Sequence, residues 1–413
     1  MRLRGALGVA LLISVSFLGT EAKAAPNATD FYSSTSVSQI TITVSETNVA
    51  ALGKEPKTDV SARFSISNKN AGINFKNLPV NFHLKGTSTL RQNPSLLANR
   101  PSLRVKFKRD GVMKLGFLGT LNSLTLNSMT QDASKIHEYS AYKLFNAMNV
   151  PAPRVTYAQV TVVVGKRAYQ KGLFAVIEPY DDVFLADRFQ TPTKHLYEPC
   201  SHWTDVTKVS AGWGGKECDP AVFEVKEGWK KNPSKGDLRT LKKVQTIVDG
   251  KGWWKAMDRY TDRDAFVRMW AVENFVSAWD SYSGVIVNNY YLRSDSMGVF
   301  TMMPTGADET FAYNFKMDAL SIGYPLIYYD FKTDIKGRGS MFTRCLRYEP
   351  CFNQYLDELK ATKETAKQID LVGQMKTIAT QIKAPSIWAV QSAQNWVGMK
   401  SDEVDALLEK YGR

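Results

Sequence analysis

Phe266, Met269, Trp270, Val272, Phe275, Val276 and Trp279, spaced along the segment from Asp262 to Trp279, cover most of the circumference of a helix. A helix that is apolar nearly all round has to be buried, with other elements packed against every side of it. The chain must therefore supply a thick core around this segment. Its 413 residues, 44% of them hydrophobic, suffice for one large domain or two closely packed lobes.

What precedes the helix has a different period. From Gln39 onward, Ile40, Ile42 and Val44 alternate with Thr41, Thr43 and Ser45, the pattern of a strand with one buried face. Ala62 to Ile66, Val80 to Leu84 and Leu103 to Phe107 read the same way. One helix interrupts this β-rich part between Ala133 and Asn149, where Ile136, Ala141, Leu144, Phe145 and Met148 recur at helical spacing before Pro151 and Pro153. Val155 to Val164 and Gly172 to Glu178 follow as a strand pair turned at Gly165-Lys166-Arg167. Residues 195 to 235, rich in Trp, Gly, Cys and Lys, read as an irregular, disulfide-held insertion. Beyond the buried helix come strands at Asn288 to Arg293 and Val299 to Met303, then helix from Phe352 to Lys383, striped by Leu371, Met375, Ile378 and Ile382 and ended by Pro385. There is no internal repeat. A β-rich half followed by a helix-rich half predicts an α+β fold of two lobes over residues 38 to 413, with a helical C-terminal part from about 345.

The chain opens with Arg2 and Arg4, an apolar run from Ala6 to Leu18, and small residues ending in Ala22-Lys23-Ala24-Ala25. This predicts a signal peptide over residues 1 to 24, followed by a flexible leader over 25 to 37 that holds the one Asn-x-Thr sequon, at Asn27. The apolar run is shorter than the roughly 20 residues that cross a bilayer core, and no later segment is long and apolar enough. The mature protein is expected to be secreted or periplasmic, without a membrane span. Loss of Arg2, Arg4, Lys23 and Glu21 lowers the formal charge from +13 to +11. Such a field favours anionic partners, whether nucleotides, phosphates, acidic proteins or an envelope surface. No Lys and Arg run with interleaved aromatics points to nucleic acid. Cys200, Cys218, Cys345 and Cys351, an even set in an exported chain, predict disulfides. Of the three pairings, Cys200 with Cys218 and Cys345 with Cys351 is the simplest. A zinc site from His195, Cys200, His202 and Cys218 has the spacing of no familiar finger or ribbon. The four histidines form no Ser-His-Asp pattern, and His137, beside Ile136, reads as a helix-surface or packing residue.

The stretch from Trp279 to Phe311 carries the chemistry. Asp280 ends the buried helix, Asn288 and Asn289 open a strand, and Asp308 follows the return strand. A carboxylate, an amide and a second carboxylate are what phosphoryl transfer uses: one acid to orient the hydroxyl, and an acid with an amide to hold Mg²⁺ on the phosphates. Spacing alone favours the plainer reading, with Asp280 as a helix terminator and Asp308 as a loop residue. Along Leu103 to Phe107, alternation turns Arg104, Lys106 and Lys108 to one face. That face suits an anionic ligand, or a solvated edge that resists aggregation.

Asp280-Ser-Tyr-Ser-Gly followed by Asn288-Asn289-Tyr290-Tyr291-Leu292 resembles the signature of the CotH family of atypical, spore-coat-type protein kinases. Leu84-Lys85-Gly86-Thr87-Ser88 is similar to the family's Arg-Gly-Asn-Ser segment, and Arg100 to Phe107 to its basic strand. Ala141 to Phe145 with Val150-Pro151-Ala152-Pro153-Arg154 resembles its helix and exit, and Gly172 through Glu178, Asp181, Phe184 and Leu185 a further run. These motifs share the family's order over roughly residues 38 to 315. The resemblance implies a two-lobed protein-kinase-like fold, ATP, Mg²⁺ or Mn²⁺, and a protein substrate. It implies Asp280 as the catalytic acid, Asn288 or Asn289 as the metal-binding amide, and Lys106 as the nucleotide lysine, flanked by Arg104 and oriented by Glu178. The chain departs from the family after the return strand, where Pro304-Thr305-Gly306-Ala307-Asp308 replaces Pro-Trp-Asp-x-Asp/Asn. Gly306 stands at a metal-binding position, and in an extended segment Asp308 would point to the same side. Lys85 and Thr87 also replace the usual Arg and Asn. An active exported kinase and a secreted pseudokinase, serving as a binding, adhesin or envelope protein, both fit this pattern.

Overall fold

The computed structural model describes residues 28–33, 36–86, 88–92, 94–108, 121–199, 223–228, 236–247, 250–284, 286–311 and 339–413. Residues 1 to 24, expected to be a signal peptide, and Asn27, Cys200 and Cys218 lie outside them.

The N-terminal lobe is a closed barrel built from β1 (Ser38–Val44), β2 (Val60–Asn68), β3 (Ile73–Lys85), β4 (Ser102–Phe107), β5 (Ser123–Asn127), β6 (Val155–Val164) and β7 (Arg167–Ile177). Their order is β1-β2-β3-β4-β5-β7-β6, closed by parallel pairing of β1 with β6. Ile40, Ile42 and Val44, and Leu103, Val105 and Phe107, each set predicted to share a face, are buried in one barrel core with Phe64, Val80, Phe82 and Val162. Closure leaves no sheet edge exposed in this lobe.

Two expectations change here. The predicted leader contains a short helix, α1 (Ala28–Ser33), whose Phe31 and Tyr32 are buried in the barrel core or at its margin. Arg154 secures it, with its guanidinium 5.2 Å from the Tyr32 ring and a hydrogen bond donated to Thr29. The hairpin turn is also tighter than predicted, since Val164 pairs directly with Arg167 across Gly165 and Lys166. Gly165 takes a φ of 57°, the left-handed backbone that such two-residue turns require.

Two helices lie at the junction of the lobes, α4 (His137–Ala147) between β5 and β6, and α5 (Asp182–Arg188) after β7. Shorter helices α2 (Glu46–Lys54) and α3 (Ser88–Gln92) sit within the first lobe. The second lobe begins with β8 (Thr193–Pro199) and β9 (Phe223–Glu227), so the ends of the predicted irregular insertion are ordered strands. They join β10 (Tyr290–Asp295) and β11 (Phe300–Pro304) in a sheet of order β11-β10-β8-β9. The remainder is helical: α6 (Gly236–Thr246), α7 (Gly250–Tyr260), α8 (Arg263–Val276), α9 (Ser340–Arg347), α10 (Glu349–Gln368), α11 (Leu371–Ile382) and α12 (Ile387–Lys410).

Helix α8 is the predicted buried helix. Asp262 caps its start by accepting from the Ala265 N–H, and Phe266, Met269, Trp270, Val272, Phe275 and Val276 are all buried. Each such side chain contributes about 1.5–3 kcal/mol relative to exposure. The helix stops three residues before Trp279, because Ser277 turns left-handed at φ 58°. Helices α10 and α12 pack against it, and Trp396 of α12 donates to the Phe275 carbonyl at 3.2 Å. The predicted Cys345–Cys351 disulfide is present and ties α9 to α10. No described helix is long and apolar enough to cross a membrane.

Candidate active site

The left-handed turn at Ser277 releases the chain into a compact loop, residues 278 to 284, at the junction of the lobes. Glu273 of α8 anchors that loop, accepting from the Ser283 N–H at 3.0 Å and its hydroxyl at 2.5 Å. At Gly284 an added Cβ would lie 2.1 Å from the Trp279 carbonyl oxygen, so the loop closes only around glycine. Asp280 is thereby presented to the start of β10. The Asn289 N–H donates to the Asp280 carbonyl at 2.7 Å and the Asn289 amide to its carboxylate at 2.6 Å. The Asn288 amide donates in turn to Asn289 Oδ1 at 3.0 Å. Asp280, Asn288 and Asn289, predicted as one set, are brought together.

The hairpin β10–β11 returns the chain to Gly306, opposite Asn289. Gly306 has φ 60°, and a Cβ there would meet the Asn289 amide at 2.5–3.0 Å. The residues after it are not extended, contrary to the sequence expectation. They form a 3₁₀ turn, Ala307–Glu309, because the left-handed glycine reverses the chain. Asp308 reaches the site on that turn. Helix α4 holds the turn from the other side: His137 Nδ1 donates to the Asp308 carbonyl at 3.1 Å, and buried Tyr142 hydrogen-bonds Thr305 and the Ala307 backbone. The start of α4 is itself fixed by buried Asp132, which accepts from the N–H groups of Ser134 and His137 at 2.8 and 2.9 Å.

The electrostatics of this cluster are those of carboxylates gathered in a partly buried place. Burial, with repulsion from Asp308 and Glu309, pushes the Asp280 carboxyl well above its usual range, against the pull of the Asn288 amide. Burial also raises Asp308, which Asp132 pushes further and which Lys85 and His137 oppose. Glu138 of α4 joins them, raised by burial and by Asp308, and opposed by Lys85 and by the Asn127 amide 2.7 Å away. Sequence reasoning overlooked Glu138. It lay in a predicted helix, but only tertiary packing shows which face of that helix meets the cluster.

The outer barrel face opposite carries three rows of residues. Lys85 pairs with Ser102, whose hydroxyl donates to Asn127 at 3.1 Å. Next come His83, Arg104 and Thr125, then Asn81, Lys106 and Ser123. Arg104 donates to Thr125 at 3.1 Å and lies within electrostatic reach of Asp181, Glu227 and Tyr291. Lys106 has a carboxylate partner outside the acid-and-amide cluster. Its ammonium, nearly half exposed, is 2.8 Å from Asp59. Glu178 does not orient it, because Arg154 clamps that buried carboxylate with two side-chain bonds and Arg188 adds a third at 3.1 Å.

Among the described residues no three His, Cys, Asp or Glu side chains are gathered to hold a metal by themselves. Asp308 with Asn288 and Asn289 nevertheless supplies the carboxylate and amide oxygens that Mg²⁺ or Mn²⁺ takes. Hard cations of this size take one or two carboxylates and complete their shell with phosphate and water.

A barrel lobe and a helical lobe, with α4 and an acid-and-amide loop at their junction, define a two-lobed kinase-like protein. The family model for CotH kinase proteins matches residues 82–409, and the chain belongs to that family. The match begins inside β3 and takes in the C-terminal helices, beyond the motifs that first suggested it. No curated protein is similar enough to the chain to count as a relative.

Proposed function

We propose that this protein is an exported kinase that transfers the γ-phosphoryl group of ATP to a hydroxyl of a protein substrate. The observation that carries the reading is the clamp of Asp280 by Asn289, with Asp308 brought beside it in a desolvated junction. Asp280 accepts the hydroxyl proton as the new O–P bond forms and the bond to the β-phosphate oxygen breaks, releasing ADP. Asn289 fixes the orientation of Asp280 through the carboxylate and the carbonyl together. Asp308, with Asn288 or Asn289, would hold Mg²⁺ or Mn²⁺, which supplies charge neutralisation on the phosphates. The basic mature chain and the N-terminal signal support an extracytoplasmic, acidic substrate or envelope partner.

A second reading, a secreted pseudokinase that binds a surface partner without turnover, is favoured by Gly306 at the position of a family carboxylate. Incubation of the mature protein with labelled ATP and Mn²⁺ or Mg²⁺ separates the two. Incorporation that disappears in Asp280→Ala and Asp308→Ala supports the kinase; no incorporation and no nucleotide-dependent thermal shift in the wild type leaves the binding scaffold.

A further inference from the structure

Kinase sites place a lysine against the nucleotide phosphates and hold it with a glutamate from the helix between the lobes; that lysine stands on the strand leading into the helix. Here the strand leading into α4 is β5, and its outward residues are Ser123, Thr125 and Asn127. None is basic. Glu138 is nonetheless present on the first turn of α4, buried, and aimed toward the barrel, where Asn127 donates to it at 2.7 Å. The acid of the pair is in place, and its expected partner is an amide.

Two strands away a lysine occupies the same row. Lys85, Ser102 and Asn127 run across β3, β4 and β5 at the end nearest α4, linked by the 3.1 Å bond from Ser102 to Asn127. Lys85 is exposed and makes no ion pair among the described residues. Its charge acts on both Glu138 and Asp308. The other cations of this face are turned to different work, Lys108 donating to Ser61 at 3.2 Å. Lys106 is paired with Asp59, and Arg104 stands one row further on, toward Asp181 and Tyr291. Gly86 follows at φ 113°, and a Cβ there would sit 2.5 Å from the Thr89 hydroxyl, so the chain turns sharply just after the lysine.

We infer that Lys85 is the phosphate-contacting lysine of this site, supplied from the end of β3 and paired with Glu138, in place of a lysine on β5. The assignment rests on the phosphotransfer reading above. A lysine reaching in from the rim joins the acid only when an anionic ligand draws it down, so the pair forms with the nucleotide rather than before it. Asn127 holds Glu138 in the meantime.

Calorimetric titration of the mature protein with ADP and Mg²⁺ tests this without turnover. Lys85→Ala, at an exposed position that leaves the fold intact, is expected to weaken ADP binding at least tenfold, whereas Lys106→Ala leaves it unchanged. Lys85→Arg should restore part of the affinity. Glu138→Gln should weaken binding in the wild type and have little further effect in Lys85→Ala, since the two act as one unit. Wild-type affinity in Lys85→Ala overturns the assignment alone. Failure of the wild type to bind ADP overturns the kinase reading and the assignment with it.

Discussion

Asp280 is held where a carboxylate is uncomfortable, half-buried and beside Asp308 and Glu309. Linkage makes that a stability statement. A raised carboxyl pKa means that the folded chain keeps its proton after the unfolded chain has released it, so stability falls as pH climbs above about 4. Asp280→Asn removes this loss. It is expected to abolish label transfer while raising the melting temperature of the metal-free protein at pH 7 by about 2 °C or more, read by thermal denaturation. Glu273 obeys the same sign from a structural position. Burial pushes its carboxyl up to about 7, against hydrogen bonds from Ser283 and Ser281 and the Tyr282 N–H. The wild type should therefore lose stability between about pH 4.5 and 7, and Glu273→Gln should flatten that part of the profile, a difference of up to about 3 kcal/mol in urea unfolding at pH 5 and 8. An unchanged slope in the variant would show that Glu273 does not titrate there.

The turn after β11 is the element on which the site depends. Gly306 departs from the family pattern, yet the backbone explains it: φ 60° and an Asn289 amide within 3 Å of any Cβ leave room for glycine alone. Gly306→Asp is thus expected to displace Asn289 from Asp280 and lower kcat by tenfold or more; a variant more active than the wild type would show that the position wants its carboxylate back. His137→Ala should slacken the Asp308 turn, lowering metal-dependent activity with little effect on secondary structure by circular dichroism. Much of this level was legible in the sequence. Alternation gave β1 to β4 and β6, and the apolar circumference gave α8, because burial on one face or on all faces leaves a periodic trace. Helix α12 falls in the helical C-terminal part expected from about 345, but its start was not placed, because proline serves at a helix start as readily as after a helix end and Pro385 was read only as a stop. The set of Asp280, Asn288, Asn289 and Asp308 was legible because it lies within one short stretch. Lys85, Glu138 and the true partners of Lys106 and Glu178 were not, because strand register and lobe packing bring them together from distant parts of the chain.

At the scale of the molecule, one lobe is a closed barrel with its own core, and the other is a helical body around α8. The N-terminal helix α1 belongs to the first. Removal of residues up to 33 would expose the seats of Phe31 and Tyr32, each worth about 1.5–3 kcal/mol, and release Arg154 from Thr29. The truncated mature protein is expected to melt several degrees below the longer form in a thermal scan. The proposed site belongs to neither lobe alone. Asp280 comes from the loop after α8, Asp308 from a turn held by α4, and the cationic row from the barrel. The most direct test of that assembly is Mn²⁺ affinity in the presence of ADP, measured by electron paramagnetic resonance for the wild type and Asp308→Asn. Loss of affinity by tenfold or more in a variant that still folds is the expected result; wild-type Mn²⁺ binding without the Asp308 carboxylate would contradict it.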